Sequence, residues 1–199
     1  MAYPGQVITN PLTHERFTFI RTTEQTGGDT LLFRCRVSPG GVRLMPHVHQ
    51  TQEERFRVTE GTLGVMLGGK KHILTAGEGI ILPAKIKHAW WNAGDDDVEF
   101  VVEVVPARNL EATLESLAAM AAAGKLNKKA MPKNPFVLAA LGRFSETYLP
   151  GVPIWMQKIG LAMGTTMGRA FGVDPTLANY RVATPAPSFA TAEAEEATA

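Results

Sequence analysis

The sequence predicts an all-β fold, an antiparallel barrel or sandwich, followed by a helical extension. Up to about Pro106 the chain runs as short apolar stretches broken by Gly and Pro. Several of these stretches alternate apolar and polar residues with period two, as half-buried strands do. After Pro106 the composition shifts to Ala, Leu and Glu at helical spacing.

The elements follow in order. Leu31, Phe33, Cys35 and Val37 alternate with Leu32, Arg34 and Arg36, and Pro39-Gly40-Gly41 ends that strand. Residues 55–61 alternate again. Residues 62–67 and 70–74 flank Gly68-Gly69, the signal of a two-residue hairpin. Residues 80–82 form a short run between Gly79 and Pro83, 92–97 a loop, and 98–106 a last buried strand. A first helix spans 109–125 with Gly124 as its C-cap, and a second starts with Asn134 as cap and Pro135 at the first position. A third, over 152–172, is strongly apolar, but Lys158 and Arg169 leave too short a run for a membrane span. Its Gly160, Gly164 and Gly168 recur every fourth residue, which allows close helix approach. The expected organisation is a barrel over 1–107, a helical extension over 108–182, and a disordered tail over 183–199 rich in Ala, Thr, Pro, Ser and Glu.

Composition narrows the function. A net charge of +1 offers no electrostatic footprint for nucleic acid or an anionic membrane. The single cysteine, Cys35, excludes an intrachain disulfide and reads as a small buried strand residue. The N-terminal stretch lacks a basic start followed by an apolar run, so a cytoplasmic protein without a secretory signal is expected.

The chemistry concentrates in residues 46–61. His47 and His49, two apart on a strand, present both rings on one face. Glu54 shares parity with Phe56 and Val58 and faces inward with them, while Glu53 faces out. An inward carboxylate beside two imidazoles is costly to bury, and a divalent cation resolves the cost. His88, just past the turn after Pro83, completes a ligand set of His47, His49, Glu54 and His88. His14 and His72 lie outside it.

These residues resemble the two motifs of the cupins. The first motif reads Gly41, five residues, His47, Val48, His49, four residues, Glu54, six residues, Gly61. The second reads Gly77, five residues, Pro83, Ala84, Lys85, two residues, His88, three residues, Asn92, with Lys85 where glycine is usual. The resemblance implies a double-stranded β-helix (jelly-roll) barrel and one divalent transition metal ion (iron, manganese, nickel, copper or zinc). It extends over roughly the first 107 residues and leaves the helices unexplained.

Around the metal, Arg43 and Met45 share parity with His47, and Trp90 with His88; with Phe56 they are candidates to line a substrate pocket, the alternative, favoured for Met45 and Trp90, being that they fill the barrel. Glu103 stands in an apolar run: either it pairs with Arg34 or Arg36 on another strand, or it faces the cavity as a proton-transfer group. Cupins of this pattern include dioxygenases, decarboxylases, isomerases, lyases and cyclases. The expectation is a metal-dependent dioxygenase-type oxidoreductase acting on a small aromatic or enolic molecule. The alternatives are a Lewis-acid isomerase, lyase or cyclase, and a non-enzymatic binding module. Cupin barrels commonly pair, so a homodimer is expected, with the helices either covering the barrel mouth or burying the dimer interface.

Overall fold

In the computed structural model, residues 2–41, 43 and 45–180 are described. The expected tail, 183–199, lies outside them. The barrel strands begin with β1 (Val7–Asn10), β2 (Glu15–Arg21), β3 (Leu31–Val37), β4 (Val48–His49), β5 (Glu53–Glu60), β6 (Thr62–Leu67), β7 (Lys70–Thr75) and β8 (Gly79–Leu82). β9 (His88–Asn92) and β10 (Val98–Val105) follow. A short β11 (Thr147–Tyr148) returns from among the helices α1 (Leu110–Ala122), α2 (Pro135–Ser145) and α3 (Ile154–Ala170).

One sheet runs β1-β2-β3-β10-β5-β8 and another runs β7-β6-β9. β4 pairs with β11, and a bridge between His47 and His88 ties that pair to β9. All strand pairings are antiparallel. This is a jelly-roll barrel with a helical extension. Its interior follows the period-two pattern. Leu31, Phe33, Cys35 and Val37 of β3 are buried, as are Phe56 and Val58 of β5 and Val98, Phe100, Val102 and Val104 of β10. The β6–β7 hairpin turns at Gly68 and Gly69, whose φ values of 58° and 92° are those a type I′ turn requires. Gly61, at the end of β5, has φ 76°, and a Cβ there would lie 2.4 Å from the Asp97 carbonyl oxygen.

The helices pack onto the barrel by identifiable contacts. Glu111 of α1 accepts hydrogen bonds from the Ala2 and Thr23 backbone N–H and from Thr23 Oγ1. Leu110, Leu114 and Ala118 join the barrel core. Lys125 N–H bonds to the Met120 carbonyl and Gly124 N–H to that of Ala121, a Schellman ending for α1. The Asn134 side chain caps α2 by accepting from Phe136 and Val137 N–H, with Pro135 at the first helical position. α3 lies against α2 through two of its three spaced glycines: Cβ atoms at Gly164 and Gly168 would meet Ala139 Cβ at 2.7 Å and Phe136 Cβ at 2.9 Å. Gly160 faces open space. No helix is long and apolar enough to cross a membrane among the described residues.

Candidate metal centre

The three histidines converge because two strands are clamped together. The His47 N–H donates to the His88 carbonyl, and the His88 N–H to that of His47, both at 3.0 Å. This reciprocal pair fixes β4 beside β9 and brings His47, His49 and His88 together. One ligand nitrogen from each lies within 4.8 Å of the others. Glu54 enters from the opposite sheet, with Oε1 3.5 Å from His49 Nε2 and Oε2 3.6 Å from His88 Nε2.

Backbone carbonyls set two of the tautomers. His47 Nδ1 lies 3.0 Å from the Met45 oxygen and His88 Nδ1 3.0 Å from the Ile86 oxygen. A carbonyl only accepts, so Nδ1 carries the proton in both rings and Nε2 keeps its lone pair. A second consequence follows at Lys85. Its φ of 68° is the left-handed conformation that glycine supplies freely, and in that pose its N–H donates to the His49 carbonyl at 2.7 Å. Lysine at this motif position thus keeps the turn's geometry at a conformational cost.

Burial decides the charge state. Desolvation lowers His47 to about 4, with the His88 charge adding to it and the Met45 hydrogen bond opposing it. Desolvation, with the charges of His47 and His88, lowers His49 to about 2, and burial lowers His88 as well. Burial raises Glu54 to about 7. The Glu54–imidazole contacts are therefore not ion pairs near pH 7: the rings are neutral and the carboxyl holds part of a proton. His49 Nδ1 and His88 Nε2 are buried and have no hydrogen-bond partner. Unmet buried polar atoms cost about 1–3 kcal/mol each. Three neutral imidazoles with lone pairs to give, beside a carboxylate that desolvation penalises, fit a divalent ion.

The remaining expected site residues divide. Met45, Phe56 and Trp90 line the cavity that opens from the histidines. Trp90 packs edge-on to Phe56 and Phe100, with centroids 6.3 and 5.2 Å away. Arg43 does not line it: its guanidinium sits 5.3 Å over the Trp91 ring. The parity argument fails at Arg43 because the described residues of this stretch, 41, 43, 45 and 46, form no strand. Glu103 does not face the cavity either. Alternate residues of β10 point inward from Val98 to Val104, so Glu103 points out and accepts from Arg55 Nη1 at 3.0 Å. Its partner is neither Arg34, which pairs with Glu99, nor Arg36, which pairs with Asp97, Glu60 and Glu99. Glu53 is half-buried beside Arg55 and faces away from the site. Asn92 secures the 93–97 loop, donating to the Val37 and Asp96 carbonyls and accepting from Gly94 N–H.

The cavity, of about 350 Å³, is walled at one end by the barrel and at the other by the helices. Leu114 and Leu117 of α1, Leu138 and Leu141 of α2 and Leu161 of α3 contribute to it. β11 pairs with β4 so that Thr147 lies opposite His49. The extension thus covers the mouth of the site. Sequence reasoning missed one lining residue of chemical interest, Glu15, which faces inward from β2. Its signal was present: Glu15, Phe17 and Phe19 share one parity.

Comparison with known proteins agrees with this geometry. Residues 33–104 match the family model of the cupin domain. Sixty-six residues are 35% identical to a protein of Streptomyces cyaneus named polyketide synthase CurC, covering 33% of this chain and 43% of that one. Eighty-five residues are 33% identical to protein SchB of Streptomyces halstedii, covering 42% of this chain and 62% of that one. The chain thus spans less than two thirds of either relative. Among solved structures, an RmlC-like cupin from Shewanella frigidimarina aligns at 17% identity and a TM-score of 0.46, over 56% of this chain and 94% of that one. Both motifs assemble around one cluster of imidazoles, and the family model spans the strands that carry them, so the barrel of this chain matches a cupin domain over residues 33–104.

Proposed function

We propose that the chain is a metal-dependent enzyme acting on a small aromatic or enolic molecule, as a dioxygenase-type oxidoreductase. The observation that carries this reading is the junction of two environments: neutral, lone-pair-bearing imidazoles beside Glu54 open directly into a cavity walled by Phe56, Trp90 and Phe100. His47, His49, Glu54 and His88 would hold one divalent transition ion, which supplies Lewis-acid or redox chemistry to a ligand bound through its oxygens. The Met45 and Ile86 carbonyls orient the His47 and His88 rings. Met45, Phe56 and Trp90 give the substrate an apolar wall, and the three helices exclude water. The polyketide name of one relative supports a substrate rich in phenolic and keto oxygens.

The test is elemental analysis of untagged protein together with dioxygen uptake by the metal-loaded form on phenols, catechols, diketones and hydroxyquinones. Uptake with one of these classes is expected. Its absence across the panel refutes the oxidative reading.

A non-oxidative isomerase, lyase or cyclase is the second reading. It is favoured by Glu15, a buried carboxyl raised to about 7 and therefore able to hold or release a proton inside the cavity. Full turnover without dioxygen in the zinc-loaded protein would select it. Failure to take up any of iron, manganese, nickel, copper or zinc would leave a binding module without metal chemistry.

A further inference from the structure

Glu15 belongs to neither cupin motif, yet it lies in the same cavity as the histidines. It sits at the start of β2, 5% exposed, opposite Val37 of β3. Its Oε2 accepts from Thr13 Oγ1 at 2.5 Å. Asn10 holds the backbone of that corner by accepting from the Leu12 and Thr13 N–H. Among the described residues, Glu15 has no ion-pair partner and no hydrogen bond beyond that from Thr13. Its nearness also contributes to raising the Cys35 thiol, after burial itself. A buried carboxyl with one oxygen left over is costly unless it carries a proton or meets a ligand.

Position gives this oxygen a use. Trp90 follows His88 by two residues on the same face of β9, about 7 Å along the strand. Trp90 and Glu15 together border both the main cavity and a second one of about 150 Å³ beyond it. The route from the histidines to Glu15 is therefore walled by aromatic rings. Phe56 and Phe100 stand 5.3 Å apart, and Phe17 and Phe33 5.7 Å apart. Two other polar groups of the wall are tied to backbone: Thr113 Oγ1 donates to the Asn109 carbonyl, and Gln157 bonds the Leu149 and Val152 backbone.

We propose that Glu15 is a specificity-determining residue, the far anchor of the substrate site. It hydrogen-bonds an oxygen on the edge of a flat, polycyclic substrate remote from the edge that faces the histidines. This inference rests on the aromatic or enolic substrate class proposed above and adds that the substrate is elongated and oxygenated at both ends. Rings fill the apolar middle, and each polar end of the cavity meets an oxygen. A site built to bond a hydroxyl rejects the analogue lacking it, because the buried partner is then left unpaired.

The experiment compares chrysophanol with emodin, two anthraquinones that share a chelating hydroxyketone edge and differ by one remote hydroxyl. Binding to zinc-loaded protein is followed by quenching of tryptophan fluorescence. The expected result is emodin preferred about tenfold by wild type, a preference kept by Glu15→Gln and lost in Glu15→Leu, with chrysophanol affinity and zinc content unchanged. A second measurement needs no apolar variant. In infrared difference spectra, emodin but not chrysophanol should shift the carbonyl stretch of a protonated carboxyl, and Glu15→Gln should remove that band. Equal wild-type affinity for the two probes, or a preference that survives Glu15→Leu, overturns the anchor while leaving the substrate class standing. Failure of both probes to bind wild type overturns the substrate class and the anchor with it.

Discussion

Replacing Glu54 by Gln tests whether this carboxyl is placed for a cation or for the fold. In metal-free protein, burial raises it from 4.5 to about 7. The folded state therefore holds the proton more tightly than the unfolded chain. The stability so gained is complete below pH 4.5 and is lost as pH rises through 7. At about 1.4 kcal/mol per pKa unit, the rise corresponds to a loss of about 3 kcal/mol by pH 8. Gln keeps the shape and cannot ionise. With chelator present, Glu54→Gln should match wild type near pH 4.5 and exceed it by up to about 3 kcal/mol at pH 8. The histidines depress stability on the acid side, as pH falls from 6.5 through their lowered values, but they do so in both proteins and cancel from the difference. Adding a divalent ion should reverse the order at pH 8, since a ligand at about a thousand times its Kd stabilises wild type by about 4.1 kcal/mol. Urea unfolding followed by tryptophan fluorescence, with and without zinc or manganese, measures both effects. A variant less stable than wild type at pH 8 in chelator, or a difference independent of pH, would refute the reasoning.

Further outcomes follow from single positions. Lys85→Gly removes a left-handed lysine worth about 1–2 kcal/mol while raising unfolded-state entropy by about 0.4–1 kcal/mol, so thermal unfolding should show a net gain of up to about 1.6 kcal/mol. Gly160→Ala should stabilise by about 1 kcal/mol through helix propensity, because its Cβ meets nothing, whereas Gly164→Ala should destabilise, since contact with Ala139 Cβ at 2.7 Å costs about 1–3 kcal/mol. Denaturant midpoints that move together would show that α3 does not pack as described. Glu103→Gln should leave turnover unchanged and shift stability by less than about 1 kcal/mol, as for an exposed ion pair; a large loss of activity would return Glu103 to the site. The expected homodimer has a candidate face on α3, where Trp155, Ile159, Met163 and Met167 are exposed at fourfold spacing. Sedimentation should give a dimer that Ile159→Glu with Met163→Glu converts to monomer; a monomeric wild type refutes it.

The candidate metal centre was legible because its information is local. His47, His49 and Glu54 sit within one motif, and a strand's period of two fixes which of Glu53 and Glu54 faces inward. Glu103 admitted two roles in the sequence because β10 is apolar on both parities. Glu99 shares the parity of Glu103, and two charges on one parity mark the solvent side. Arg43 was misplaced by applying strand parity to a stretch whose described residues form no strand. Glu15 went unread because one carboxylate ahead of two phenylalanines resembles a strand's polar start; only the assembled barrel shows that it is enclosed. β11, two residues between helices, carries no periodicity at all. The role of the helices as a cover depended on that pairing, which joins residues nearly a hundred apart.

That pairing has a consequence for synthesis of the chain. On one side β4 is held to β9 by the His47–His88 bridge, and on the other by Thr147 and Tyr148. While the ribosome is still producing the helices, every motif residue has already been synthesised, but β4 lacks its outer neighbour. The nascent barrel therefore carries an open edge beside its own imidazoles, a place where another strand can add. The last short strand closes that edge, so trimming the chain after the cupin domain would yield an adhesive barrel rather than a minimal one.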